Sequence, residues 1–111
     1  MSLPDDQVEE LKTLFGGIQA AKEGGITYVL VPAATLPQGC TPLVVDLLLC
    51  PAERDGYPSR LYFSQQVTSP TPRNWNGQTR VLERNWFAYS WKVDPGIRLA
   101  QMVQAHLQAL R

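Results

Sequence analysis

With 111 residues, 44% of them hydrophobic and 18% charged, the chain has the length and composition of one soluble globular domain, residues 1–111, able to bury a core of its own. Ten Lys and Arg balance ten Asp and Glu, so no net field favours nucleic acid and no basic run favours an anionic membrane surface. No apolar stretch reaches the roughly 18 to 20 residues that span a bilayer, and the acidic amphipathic start lacks the basic and apolar regions of a signal peptide, so a cytoplasmic protein is expected.

The first predicted element is a helix. Ser2 or Asp5 can cap it, Pro4 is tolerated in a first turn, and Asp5, Asp6, Glu9 and Glu10 suit the positive end of the macrodipole. Val8, Leu11, Leu14 and Phe15 make one apolar face, and Gly16 and Gly17 stop the helix. Residues 18–21 predict a short edge strand leading through KEGG, where Gly24 and Gly25 allow positive φ, into ITYVLV at 26–31. The second apolar run, LVVDLLLC at 43–50, lies across the connection PAATLPQG. Both runs are β-branched or apolar throughout and predict central strands covered on two faces. Asp46 interrupts the second run and calls for a position near the strand end or a hydrogen-bonded acid.

Residues 60–67, RLYFSQQV, predict a third strand with Leu61 and Phe63 on one face and Tyr62 on the other. The loop TSPTPRNWNGQ, residues 68–78, is the one sizeable irregular stretch and hence the expected functional surface. Residues 79–93 are aromatic enough for one strand or two short ones with a kink. Asp94, Pro95 and Gly96 then read as N-cap, N1 and N2 of a final helix to Leu110, with Leu99, Met102, Val103, His106 and Leu110 on one stripe.

The segment LPQGCTPLVVDLLLCPAERDGYPSRLYF, with its Tyr57-Pro58 step, followed by a Trp-rich strand and the Pro-Gly helix start WKVDPGIRLAQMV, resembles the prokaryotic ubiquitin-conjugating family E of the UBC-like superfamily. The resemblance runs over nearly the whole chain. It implies an α+β, UBC-like fold: an N-terminal helix, an antiparallel β-meander of about four strands, and a C-terminal helix packed on the sheet. It also implies a ubiquitin-conjugating-like component of a bacterial ubiquitin-like protein modification system, with a ubiquitin-like protein and an activating enzyme as partners.

Such enzymes carry the acyl group on a cysteine thiolate. The corresponding stretch here, RNWNGQTRVLERN at 73–85, contains neither Cys nor His. Two readings follow: an enzyme whose acyl carrier is Ser90 or Cys40, or a non-enzymatic binding module on the same fold that holds a ubiquitin-like protein or its activating enzyme. Cys50, ending an apolar run, reads as a small buried hydrophobe, and Cys40 follows Gly39 in a turn with no His nearby. Two cysteines without CxxC or Cys/His spacing suggest neither a disulfide framework nor a metal site, and no cofactor motif is present. For binding, Arg73, Asn74 and Trp75 on the Pro-rich loop and Trp86 in the aromatic run are the candidates, because Trp and Arg anchor interfaces. His106, on the apolar stripe, reads as a satisfied core histidine.

Overall fold

The computed structural model describes residues 3–54, 56–94 and 96–111. Its elements are α1 (Asp5–Leu14), β1 (Gln19–Glu23), β2 (Ile26–Thr35), β3 (Val44–Cys50), β4 (Arg60–Phe63), β5 (Gly77–Val81), β6 (Arg84–Ala88) and α2 (Leu99–Gln108). All six strands join one antiparallel sheet in the order β1-β2-β3-β4-β6-β5. The chain is therefore α+β, but the UBC-like expectation of a four-strand meander is overturned: the sheet has six strands and curls into a half-barrel carrying two short helices. The reason is local. The 79–93 region folds as the hairpin β5–β6, whose second strand returns to pair with β4 through Phe63 and Phe87, so the chain passes to the outer edge before coming back.

Alternation sorts the strand residues onto two cores. Val29, Val31, Leu47, Leu49, Leu61 and Phe63 face the helices, where Leu11, Leu99, Val103, Leu107 and Leu110 cover them. Tyr28, Leu48, Cys50, Tyr62, Val81, Trp86 and Ala88 form a second cluster on the opposite face. The curl accounts for this second core, because β5–β6 swings over toward β1–β2. Two side chains then tie the sheet edges together. Glu23 Oε1 accepts the Leu82 N–H at 3.2 Å, and the Arg54 guanidinium donates to the Tyr28 hydroxyl and to Thr79 Oγ1, the latter at 2.7 Å.

The hairpin turn at Leu82 and Glu83 has both residues at positive φ, 54° and 63°, the geometry that a tight antiparallel turn demands and that Asn-Gly ordinarily signals. Arg80 donates to the Glu83 carbonyl at 3.0 Å and secures it. β2 extends past the predicted 26–31 because a bulge lies between Val31 and Ala34, with Ala33 at φ 50°. Asp46 explains that bulge: its Oδ1 accepts the Ala33 N–H at 2.8 Å and its Oδ2 pairs with Arg84 at 2.9 Å. The Ala33 N–H first, and Arg84 after it, hold the Asp46 carboxyl below the usual carboxylate range despite partial burial.

The helix ends differ from expectation. Pro4 is the N-cap of α1 without a side-chain cap bond, so Asp5 lies in the first turn, and Ser2 lies outside the described residues. Leu11 alone of the expected apolar face is fully buried, while Leu14 is 55% exposed. Asp94 does not cap α2, and the Pro95 reading falls outside the described residues. Gly96 sits at φ 81°, which interrupts a helical path, and Arg98 becomes the N-cap. Its N–H donates to Gln101 Oε1 at 2.9 Å, while Gln7 from α1 accepts the Leu99 N–H at 3.0 Å. Arg98 also pairs with Asp6 and Glu10, docking α1 onto the start of α2. No helix among the described residues is long and apolar enough to cross a membrane.

Two substitutions separate core packing from bulge chemistry. Leu47→Ala, in the central strand with no exposed surface, is expected to lower unfolding free energy by about 2–5 kcal/mol. Asp46→Ala removes the acceptor of the exposed Ala33 N–H and is expected to cost about 0.5–1.5 kcal/mol. Urea denaturation of both against the parent chain measures this, and a silent Asp46→Ala would show that the bulge needs no acceptor.

Candidate functional site

The polar cluster of interest forms where the Tyr57 loop, the start of β4, the start of β5 and the segment after β6 meet. Arg54 and Tyr57 exchange backbone hydrogen bonds of 2.9 and 3.0 Å, with Gly56 at φ 86°, which turns the chain tightly and presents Tyr57. Three residues on, Arg60 opens β4 opposite Cys50 and is only 4% exposed. Gly77 makes room for it: a Cβ at that position would lie 2.7 Å from a guanidinium nitrogen of Arg60. The Pro-rich loop brings in the remaining groups through one carbonyl, that of Asn74, which accepts both the Asn76 N–H and the Ser90 N–H at 2.9 Å.

These placements create a directed chain of hydrogen bonds. Arg60 donates to Asn76 Oδ1 at 3.0 Å. The Tyr57 hydroxyl in turn meets Ser90 Oγ at 3.1 Å, and the Arg60 guanidinium stacks 4.2 Å from the centre of the Tyr57 ring. The hydrogen bond with Ser90, then that with Asn76, outweigh partial desolvation, and Arg60 and Lys92 add positive charge. Together they hold the Tyr57 phenol below the usual tyrosine range. Tyr28 and Tyr89 move the other way because burial dominates there.

Behind Arg60 lies a second polar pair. Ser59 Oγ and His106 Nε2 are 3.1 Å apart and both residues are buried, at 2% exposure each. A serine beside an imidazole suggests nucleophilic chemistry, yet burial leaves no path for a substrate. Burial first, and the Arg60 charge second, push the imidazole down to about 4, so it stays neutral at ordinary pH. The pair is therefore a packed hydrogen bond, as the sequence suggests for His106, and the Tyr89 hydroxyl donates to the His106 carbonyl to anchor it further.

The structure brings together only some of the sequence-predicted site residues. Ser90 joins the cluster directly and Asn74 joins it through its backbone. Cys40 sits in the helix-side core at 6% exposure, where burial raises its thiol, and no described contact links it to Ser90. Trp86 has no exposed surface and its Nε1–H donates to the Val81 carbonyl, so no face remains for a partner. Arg73 stacks 4.5 Å from the Trp91 ring and donates to the Ala109 carbonyl, capping the end of α2. Trp75 packs edge-on against Phe63 and Tyr89, at 5.2 and 5.0 Å, and is half-buried. Tyr57, Arg60, Asn76 and Lys92 are the functional candidates that sequence reasoning did not select. Arg60 left one trace, a cation at the head of an otherwise apolar strand run.

Among the described residues, no group of three or more His, Cys, Asp or Glu side chains could hold a metal ion. Between the helices, Thr13, Leu14, Ala100, Gln101 and Gln104 line a groove of about 470 Å³ whose walls are apolar and whose charges, Glu10 and Arg98, are spent on each other. Chemistry is concentrated at Tyr57 and Ser90 instead. Comparison of the chain with protein-family models, with curated proteins and with solved structures found no match.

The neutral imidazole carries a pH consequence. His106 titrates near 6.5 when unfolded and near 4 when folded, so the unfolded chain binds the extra proton between those values. Its contribution is complete above about pH 6.5 and is lost as pH falls toward 4, by on the order of 3 kcal/mol. Urea midpoints at pH 7 and pH 4.5, compared between the parent chain and His106→Gln, isolate this slope. Equal slopes would mean that the imidazole is not held neutral.

Proposed function

We propose that this protein binds an oxyanion, a phosphate or carboxylate carried by its ligand, at the Tyr57–Ser90 face. One observation carries the reading: two adjacent hydroxyls, those of Tyr57 and Ser90, lie 3.1 Å apart where the Tyr57 ring stacks on the buried Arg60 guanidinium, and the positive charge of Lys92 acts on the same phenol. Hydroxyls and an ammonium are suitable donors to an oxyanion. Asn76 is fixed by Arg60, so the face needs little reorganisation to receive a ligand. Protein conjugation is not carried forward, because that role came with the UBC-like fold that the six-strand sheet replaces.

The test is a titration of the labelled protein with inorganic phosphate and, separately, with sodium acetate, followed by amide chemical shifts. Saturable shifts are expected at Tyr57, Asn76, Ser90 and Lys92, and Lys92→Gln is expected to weaken binding roughly threefold to tenfold, with added salt acting in the same direction. Shifts that never saturate, or that map to another surface, would overturn the reading.

A further inference from the structure

Far from Tyr57, β1 covers only the first half of β2. Its register runs from Glu23 opposite Ile26 to Gln19 opposite Leu30, whereas β2 continues to Thr35. Past Leu30 the end of α1 stands beside β2, and a hollow of about 410 Å³ separates Leu14, Phe15 and Gly16 from the stretch Pro32 to Thr35. The ladder with β3 sets the direction of the backbone there. The Leu36 N–H donates to the Leu43 carbonyl at 2.7 Å, so Leu36 faces β3, and its neighbour Thr35, opposite Val44, points its own N–H and C=O away from β3. Among the described residues no strand pairs with β2 on that side beyond Leu30. A second hollow, of about 160 Å³, shares Phe15 and Thr35 with the first and extends to Leu36, Leu107 and Arg111. Residues 13–18 and 24–45 contain no charged side chain, and Arg111 brings a cation to the second hollow, with no acidic side chain lining either one.

We propose that this slot binds an extended peptide segment of a partner protein, which adds a strand to β2 at Thr35. Three features specify the occupant. A backbone donor and acceptor at a sheet edge pair with another extended backbone. The two hollows take apolar side chains at alternating positions, because residues i and i+2 of a strand share a face. Arg111 selects a carboxylate where the segment reaches the second hollow. Leu14, 55% exposed at the end of α1, forms the wall opposite β2 and covers the bound chain. That wall admits a single strand and excludes the sheet edge of a second folded copy. None of these residues belongs to the Tyr57 face.

The test is selection from a phage-displayed library of random heptapeptides, then titration of the labelled protein with the synthesised enriched peptide. Enriched sequences are expected to alternate apolar residues and to carry Asp or Glu toward one end. Saturable amide shifts are expected at Phe15, Gly16, Ala33 and Thr35, with slowed exchange of the Thr35 N–H. Thr35→Pro deletes an N–H that the β3 ladder does not use, a change that edge strands tolerate, and is expected to weaken binding about tenfold while the urea midpoint stays near that of the parent. Leu14→Glu, at an exposed position, should weaken it comparably, and Arg111→Gln roughly threefold. N-methylation of every second peptide residue is expected to abolish binding in one phase and spare it in the other, because only alternate residues face β2. No enrichment, shifts on another surface, equal effects of the two N-methylation phases, or a dimer in sedimentation that the peptide dissociates would each overturn the proposal.

Discussion

Burial of the Arg60 guanidinium is the constraint from which the arrangement of this molecule follows. Removing a cation from water is expensive, and the surroundings must supply hydrogen bonds, polarisable surface and space. Asn76 supplies an acceptor, the Tyr57 ring covers one side, and Gly77 leaves the volume that any side chain would occupy. The same charge helps to keep His106 neutral behind it. Tyr57, the adjacent Asn76 and Gly77, and His106 come from three parts of the chain, so one buried cation ties together the Tyr57 loop, the start of β5 and α2.

Sheet curvature makes this possible. A flat six-strand sheet with helices on one face would leave Tyr62, Leu48 and Trp86 in water on the other. Curling buries them without a second helical layer, and the edge strands are then joined by side chains rather than by a backbone ladder. Edge strands are a liability when they present unpaired backbone groups. Here Glu23 at the end of the edge strand β1 accepts the Leu82 N–H of the β5–β6 turn.

The legibility of the fold in the sequence divides along physical lines. Continuous apolar runs located β3 and the first part of β2 well, because burial on two faces leaves a compositional mark. The Leu82-Glu83 turn left none, since neither residue is a usual left-handed turn former and its φ values are enforced by strand pairing and Arg80. The resemblance to ubiquitin-conjugating proteins drew its weight from the strand, loop and strand around Tyr57-Pro58, which do form neighbouring antiparallel strands, but such a segment does not determine where later strands pair. At the site, Ser90 and Asn74 were legible as polar residues near aromatics. The links of Ser90 to Tyr57 and of Asn76 to Arg60 were not, because contacts spanning 33 and 16 residues have no local signature.

The β5–β6 ribbon joins the rest of the sheet through the single register pair Phe63–Phe87, whereas β2 and β3 are paired along most of their length. Cooperative units of a native protein open in order of how much paired backbone and packed surface holds them. By that ordering the ribbon, held largely by side chains, is expected to exchange its amides with solvent before those of β2 and β3. Gly77 belongs to that unit and Asn76 precedes it immediately, so each opening lifts away the residues that shape and orient Arg60. Occupancy of the Tyr57 face and the lifetime of the docked ribbon are two views of one equilibrium, and a ligand at that face would slow exchange in a hairpin that it does not itself touch.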